Sequence, residues 1–157
     1  MATMKSSNPK AFDVLIGNLK TLDKKQLKVG WIKDVRYENG TSVAQVAQVH
    51  EFGNMAKNIA PRPFMRPTVF ENENEWKQNL KDGSNAVLAE KTTIQNLFTV
   101  FGEKVAGQIK KKIESIFSPP LSPKTLAARR AKGNFSDKPL IDTSLMISSI
   151  THQTEDL

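Results

Sequence analysis

The first residues that invite chemistry are His50 and Glu51, adjacent in the stretch Val46 to Asn54. A zinc hydrolase of the His-Glu-x-x-His type needs a second imidazole four residues on, so that both face one ion. The fourth residue after His50 is Asn54, and the chain's other histidine is the distant His152. There is no cysteine, which excludes thiolate ligands, a disulfide framework and a cysteine nucleophile. No metal site is therefore expected. His50 reads as a partly buried helix residue that bonds to a loop carbonyl. A metal hydrolase using His50 and Glu51 would have to reveal itself by bound metal.

Paired carboxylates are the next candidates. Glu71, Glu73 and Glu75 alternate i, i+2, a spacing that spreads them around a helix instead of converging them. They read as a solvated acidic half-helix that complements the macrodipole. Gly102, Gly107 and Gly133 are isolated, and no Gly-x-x-x-x-Gly-Lys-Ser/Thr phosphate cradle occurs. No Ser-His-Asp arrangement stands on a usable spacing.

The net charge of +7 is unevenly placed. Between Glu103 and Lys132 lie eight basic residues, opposed only by Glu103 and Glu114. Lys110, Lys111, Arg129 and Arg130 are the residues expected to present this charge to a partner. Such a segment suits an acidic protein surface or phosphates. Aromatics do not interleave with these bases in sequence, and no zinc finger, RNA-recognition signature or helix-turn-helix is visible.

The elements that must carry these residues follow from periodicity. Apolar residues at Phe12, Leu15, Ile16, Leu19 and Leu22 predict a helix. Residues 26–33 alternate, with Leu27, Val29 and Trp31 on one face of a strand. Glu38-Asn39-Gly40 is a turn, and 35–37 could extend that strand or pair with it. Ser42-x-x-Gln45 resembles a capping box before a second helix, which Gly53-Asn54 ends. Prolines 61, 63 and 67 make 54–67 an exposed, semi-extended loop. A helix from Arg66-Pro67 is expected to weaken at Asp82-Gly83. A long helix spans about 92–117, with apolar steps of 3 or 4 from Ile94 to Ile116. Ser122-Pro123 opens a short basic helix, Asp142-Thr143-Ser144 caps another, and 147–153 could be a final strand. The fold class expected is α+β: a small, mainly antiparallel sheet flanked by helices. Residues 1–10 are expected to form a loose arm and 11–157 a single domain. No apolar run reaches the roughly 18 residues of a membrane span.

Two stretches carry a family resemblance. One is Val46-Ala-Gln-Val-His-Glu-Phe-Gly-Asn54 followed by Ile59-Ala-Pro-Arg-Pro-Phe-Met-Arg-Pro67. The other is Pro120-Leu-Ser-Pro-Lys-Thr-Leu-Ala-Ala-Arg-Arg130, followed by Lys138-Pro-Leu-Ile-Asp-Thr-Ser-Leu-Met-Ile-Ser-Ser-Ile150. In this order and spacing they resemble the neck or tail-completion proteins of long-tailed bacteriophages. The pattern covers roughly Val43 to Ile150, and departs at Ser144, where the family has Gly. The resemblance implies a structural virion protein without enzymatic activity or cofactor. It would be made in the bacterial host cytoplasm and end in the tail or neck of the virion. It implies a homo-oligomeric ring, expected to be hexameric, that joins the tail to the head connector. Its neighbours would be head-closure or connector proteins and tail-terminator or tail-tube proteins, with contact to genomic DNA in the channel open. In the proline-rich loop, Phe64 suits an apolar anchor for a neighbouring subunit, and Arg62 and Arg66 suit its carboxylates. The alternative place for Phe64 and Met65 is back on their own domain. The alternative function is a basic nucleic-acid-binding protein that uses segment 104–132.

Overall fold

The computed structural model describes residues 9–157. The fold is α+β: among the described residues there are six helices and a two-stranded antiparallel sheet packed against them. Helix α1 (Pro9–Asp23) leads into strand β1 (Lys25–Gly30). Helix α2 (Val43–Phe52) and a single 3-10 turn, Met55–Lys57, precede the long helices α3 (Met65–Leu88) and α4 (Ile94–Glu114). Helices α5 (Pro123–Ala131) and α6 (Leu145–Ser148) and strand β2 (Thr151–Asp156) complete the order. The arm expected at 1–10 lies outside the described residues up to residue 8, and Pro9 and Lys10 already belong to α1.

Helix α4 is the centre of the packing, as its 3–4 periodicity requires. Ile94, Phe98, Val105, Ile109 and Ile113 are buried along it, and Thr93 caps its start by accepting from the Asn96 N–H (3.1 Å). Helix α3 runs antiparallel beside it. Gln108 reaches Asn72 (2.8 Å), the Trp76 indole donates to Gln108 (2.6 Å), and Lys104 meets Glu75 (2.6 Å). The expected weakening at Asp82-Gly83 is corrected: α3 runs unbroken for 24 residues and is longer than α4, which has 21. Gly83 is there for contact. A Cβ at this position would come within 2.1 Å of Leu97 Cδ1, so the missing side chain lets the two helices close.

The partner of β1 is β2, from the far end of the chain, with Lys25 opposite Asp156 and Gly30 opposite Thr151. The segment after β1 does not join this sheet. Arg36 bridges to Ser42 across the Tyr37–Gly40 turn, where Gly40 takes φ +78°. Strand β2 lies directly on α4 at Gly102, where an added Cβ would come within 2.5 Å of the His152 ring. The main core joins Val43, Ala47, Phe64, Ile109, Ile113, Leu140, Met146 and Ile150. A smaller cluster of Val87, Ile94 and Phe98 is covered by Leu22, Leu27 and Leu97.

Two caps differ from expectation. Ser42 is the N-cap of α2, but its side chain makes no capping bond. Ser144 holds the left-handed conformation, φ +60°. It therefore keeps the backbone angle that a glycine would adopt freely there.

Candidate functional site

The proline-rich loop folds inward, and one carboxylate organises it. Helix α3 starts after Phe64, whose side chain offers no acceptor to the first free N–H groups of the helix. Glu51, from the last turn of α2, supplies the acceptor. One carboxylate oxygen accepts from the N–H groups of Phe64 (2.7 Å) and Met65 (2.9 Å). The other accepts from the Arg66 N–H (3.1 Å) and Nε (2.9 Å). Burial alone would raise the pKa of Glu51, but these donors outweigh it and hold the carboxyl below its ordinary value. Gly53 lets the chain reverse between the two helices. Its φ is +77°, and an added Cβ would lie 2.9 Å from the Ile59 carbonyl oxygen.

The three loop residues offered to a neighbour by sequence have different fates. Phe64 is 0% exposed and packs edge-on against Trp31 at 5.6 Å. Arg62 is buried, donating to the carbonyls of Pro119 (2.8 Å) and Pro120 (3.1 Å), and so ties the loop to the segment after α4. The reading of these two as interface residues is corrected, because their side chains are spent inside the chain's own fold. Arg66 remains largely exposed, with its guanidinium over the Phe52 ring at 5.0 Å.

The basic segment also divides. Arg129 is buried and works as a clamp: it donates to the carbonyls of Lys138 (2.7 Å), Ile141 (3.1 Å) and Pro139 (3.3 Å). It fixes the loop between α5 and α6 and does not face a partner, which corrects its expected place. Lys104 and Lys112 are matched by Glu75 and Glu71 of α3. Lys111 and Arg130 are exposed and Lys110 is half-buried. Phe117 and Phe135 are exposed, and Lys138 sits over the Phe117 ring at 5.6 Å. Sequence order hides that juxtaposition.

His50 lines a cleft of about 340 Å³ with Tyr37, Thr125, Arg129 and Asp142. Its backbone carbonyl accepts from the Arg62 N–H (2.6 Å), while the buried Nδ1 finds no partner. Burial, then Arg62 and Arg129, lower its pKa. Burial and, secondarily, Asp142 raise that of Tyr37. His50 therefore sits neutral beside two guanidiniums, while Glu51 points away to cap α3. Among the described residues no group of three or more His, Asp or Glu side chains is placed to hold a metal ion. No helix among them is long and apolar enough to cross a membrane.

Sequence reasoning missed the capping role of Glu51, although a signal was present: α3 has no Ser, Thr, Asp or Asn at its start, so its acceptor had to come from elsewhere. It also missed the clamp at Arg129, for which no local signal exists. Set against family models, curated proteins and solved structures, the chain matches none of them.

Proposed function

We propose that the chain is a structural subunit of a tailed-phage neck, working in a homo-oligomeric ring that joins the tail to the head connector. The observation that carries this reading is a set of large apolar side chains left in water. Met55 is 99% exposed, Phe70 85% and Phe135 79%, with Phe52 and Phe117 also more than half exposed. Phe70 near the start of α3 and Phe117 beyond the end of α4 belong to the same end of the antiparallel pair. Phe52 lies there too, against Arg66, and Lys138 brings the loop bearing Phe135 toward Phe117. Apolar side chains this exposed, set among charged ones, are the usual material of protein contact surfaces.

The loops that bear them are pre-shaped. Met55 stands on a turn closed by two backbone bonds between Asn54 and Ile59 (2.8 and 2.9 Å). Phe135 stands on the loop that Arg129 clamps. Fixed loops lose little freedom on docking, which favours contact as their purpose. The sequence pattern from Val46 to Ile150 supplies the phage setting. The mechanism is binding alone: subunits close by a heterologous contact, and the ring then bridges its neighbours.

The test is the assembly state of the purified chain, by sedimentation velocity and negative-stain microscopy, with Phe70→Ser and Phe135→Ser in parallel. Rings that at least one of these variants reduces to monomers are expected. Phage particles lacking the protein should accumulate heads and tails apart. Monomers at every concentration and in purified virions would sink the proposal.

A further inference from the structure

Helix α5 is held in place by hydrogen-bonded charge more than by packing. Among the described residues 121–137, Arg129 alone is buried. Toward α2 the helix faces the cleft of about 340 Å³ that His50 lines, so open space takes the place of packed side chains. Two guanidiniums fasten the two ends of this excursion instead. Arg62 bonds to the carbonyls of Pro119 and Pro120, just before it begins. Arg129 bonds to the carbonyls of Lys138, Pro139 and Ile141, around Leu140, which is buried in the main core.

His50 stands beside both fastenings. Its carbonyl accepts from the Arg62 N–H (2.6 Å), and its ring shares the cleft with Arg129. The two guanidiniums also act on each other: burial and then the Arg129 charge lower the pKa of Arg62. Carboxylates do little to balance them. Asp142 lies 3.4 Å from Arg129 Nε with its side chain 56% exposed, and no carboxylate among the described residues pairs with Arg62. The other groups that face His50 are Tyr37 and Lys132, while Glu51 is turned to the start of α3. A proton on His50 therefore adds a third cation to two buried ones, and its Nδ1 has no acceptor to receive it. Like charges held out of water repel strongly. Of the elements around His50, the 121–137 excursion yields most readily, because it has one buried side chain to lose.

We propose that residues 121–137 form a hinged flap, and that proton uptake by His50 releases it by driving Arg129 out of its carbonyl contacts. The inference rests on the two guanidiniums and the histidine beside them, and holds whether or not the chain forms a ring. Once released, α5 does not persist, since nine residues are too few for a helix alone in water, where even about 12–15 are marginal. Release is therefore readable in the α5 amides.

The test is amide hydrogen exchange of the full-length chain from pH 7.5 to 5.5, corrected for the intrinsic rate at each pH and repeated in low urea. The α5 amides should exchange through a local opening, with weaker urea dependence than the α4 amides. The open flap binds the proton on His50 more readily than the closed one. Its opening constant should therefore be flat above pH 6.5 and rise severalfold, at most about tenfold, for each pH unit below it. His50→Gln should keep it flat throughout. His152→Gln, which removes the chain's other histidine, should leave the rise in place. Exchange of α5 only through global unfolding overturns the inference, as does a wild-type opening constant that ignores pH. A rise that survives in His50→Gln, or that disappears in His152→Gln, places the trigger elsewhere and overturns it as well.

Discussion

At the scale of single residues, Glu51 and His50 are neighbours in sequence with opposite electrostatic roles. Glu51 stays ionised because four donors converge on it, three of them N–H groups at the start of α3. Arg66 is 62% exposed at its side chain, so the ion pair itself adds less than about 1 kcal/mol. The backbone donors supply most of the effect. Glu51→Gln keeps the shape but turns an amide toward those N–H groups. It should cost about 1.5–3 kcal/mol in urea unfolding, the range for hydrogen bonds to a charged group. The folded-state pKa of Glu51 is lowered from 4.5, so its stabilisation is present above that value and lost as pH falls through the depressed one. Glu51→Gln should therefore flatten the acid limb of the stability curve; an unchanged limb would refute the capping role. His50 acts in another window. Its pKa is lowered from 6.5, so the unfolded chain binds the proton more readily. Stability is full above pH 6.5 and falls as pH drops below it toward the folded value. The melting temperature should drop between pH 7.5 and 5.5, and His50→Gln should remove that drop. A slope that survives the substitution points to other groups.

At the scale of elements, contacts decide where glycine is required. Gly102, Gly107 and Gly83 all lie inside helices, where alanine would ordinarily gain about 1 kcal/mol. At Gly107 nothing lies within 4 Å of an added Cβ, so Gly107→Ala should realise that gain. At Gly102 the new carbon would sit 2.7 Å from His152 Cβ, the rigid root of a strand side chain. Gly102→Ala should destabilise by about 1–3 kcal/mol, as overpacking does. Thermal melts of the two variants should move in opposite directions; a shared direction would mean that β2 does not press on α4 here. The same contacts explain what the sequence discloses. The steps of α4, the alternation of β1 and the Ser122-Pro123 start of α5 are local patterns and appear where they are read. The continuity of α3 is not local, because Gly83 resembles a breaker until Leu97 is seen against it. Nor is the pairing of β1 with β2, which brings opposite ends of the chain together. Phe64 and Arg62 looked like surface residues because prolines flank them. Proline fixes backbone direction, however, and says nothing about which side of the loop faces the core.

At the scale of the whole molecule, the unequal sizes of the two apolar clusters set the order of opening. The main cluster draws on α2, α4, α6 and Leu140, so its members can separate only together. The smaller cluster holds α1 through Leu22, with one further bond from the Asn18 amide to the Val87 carbonyl (3.4 Å). Val14 and Leu19, elsewhere on α1, are more than two-fifths exposed and add little. Over residues 13–23, α1 therefore has few buried contacts to lose, and a local opening that frees this part exposes little surface. In native-state hydrogen exchange, the α1 amides should open with a free energy at least about 2 kcal/mol below that of the α4 amides, and with a weaker urea dependence. Leu22→Ala should lower α1 protection further, while α4 continues to exchange through global unfolding. Exchange of α1 and α4 at one common free energy would mean a single cooperative unit, and the smaller cluster would then be an extension of the main core.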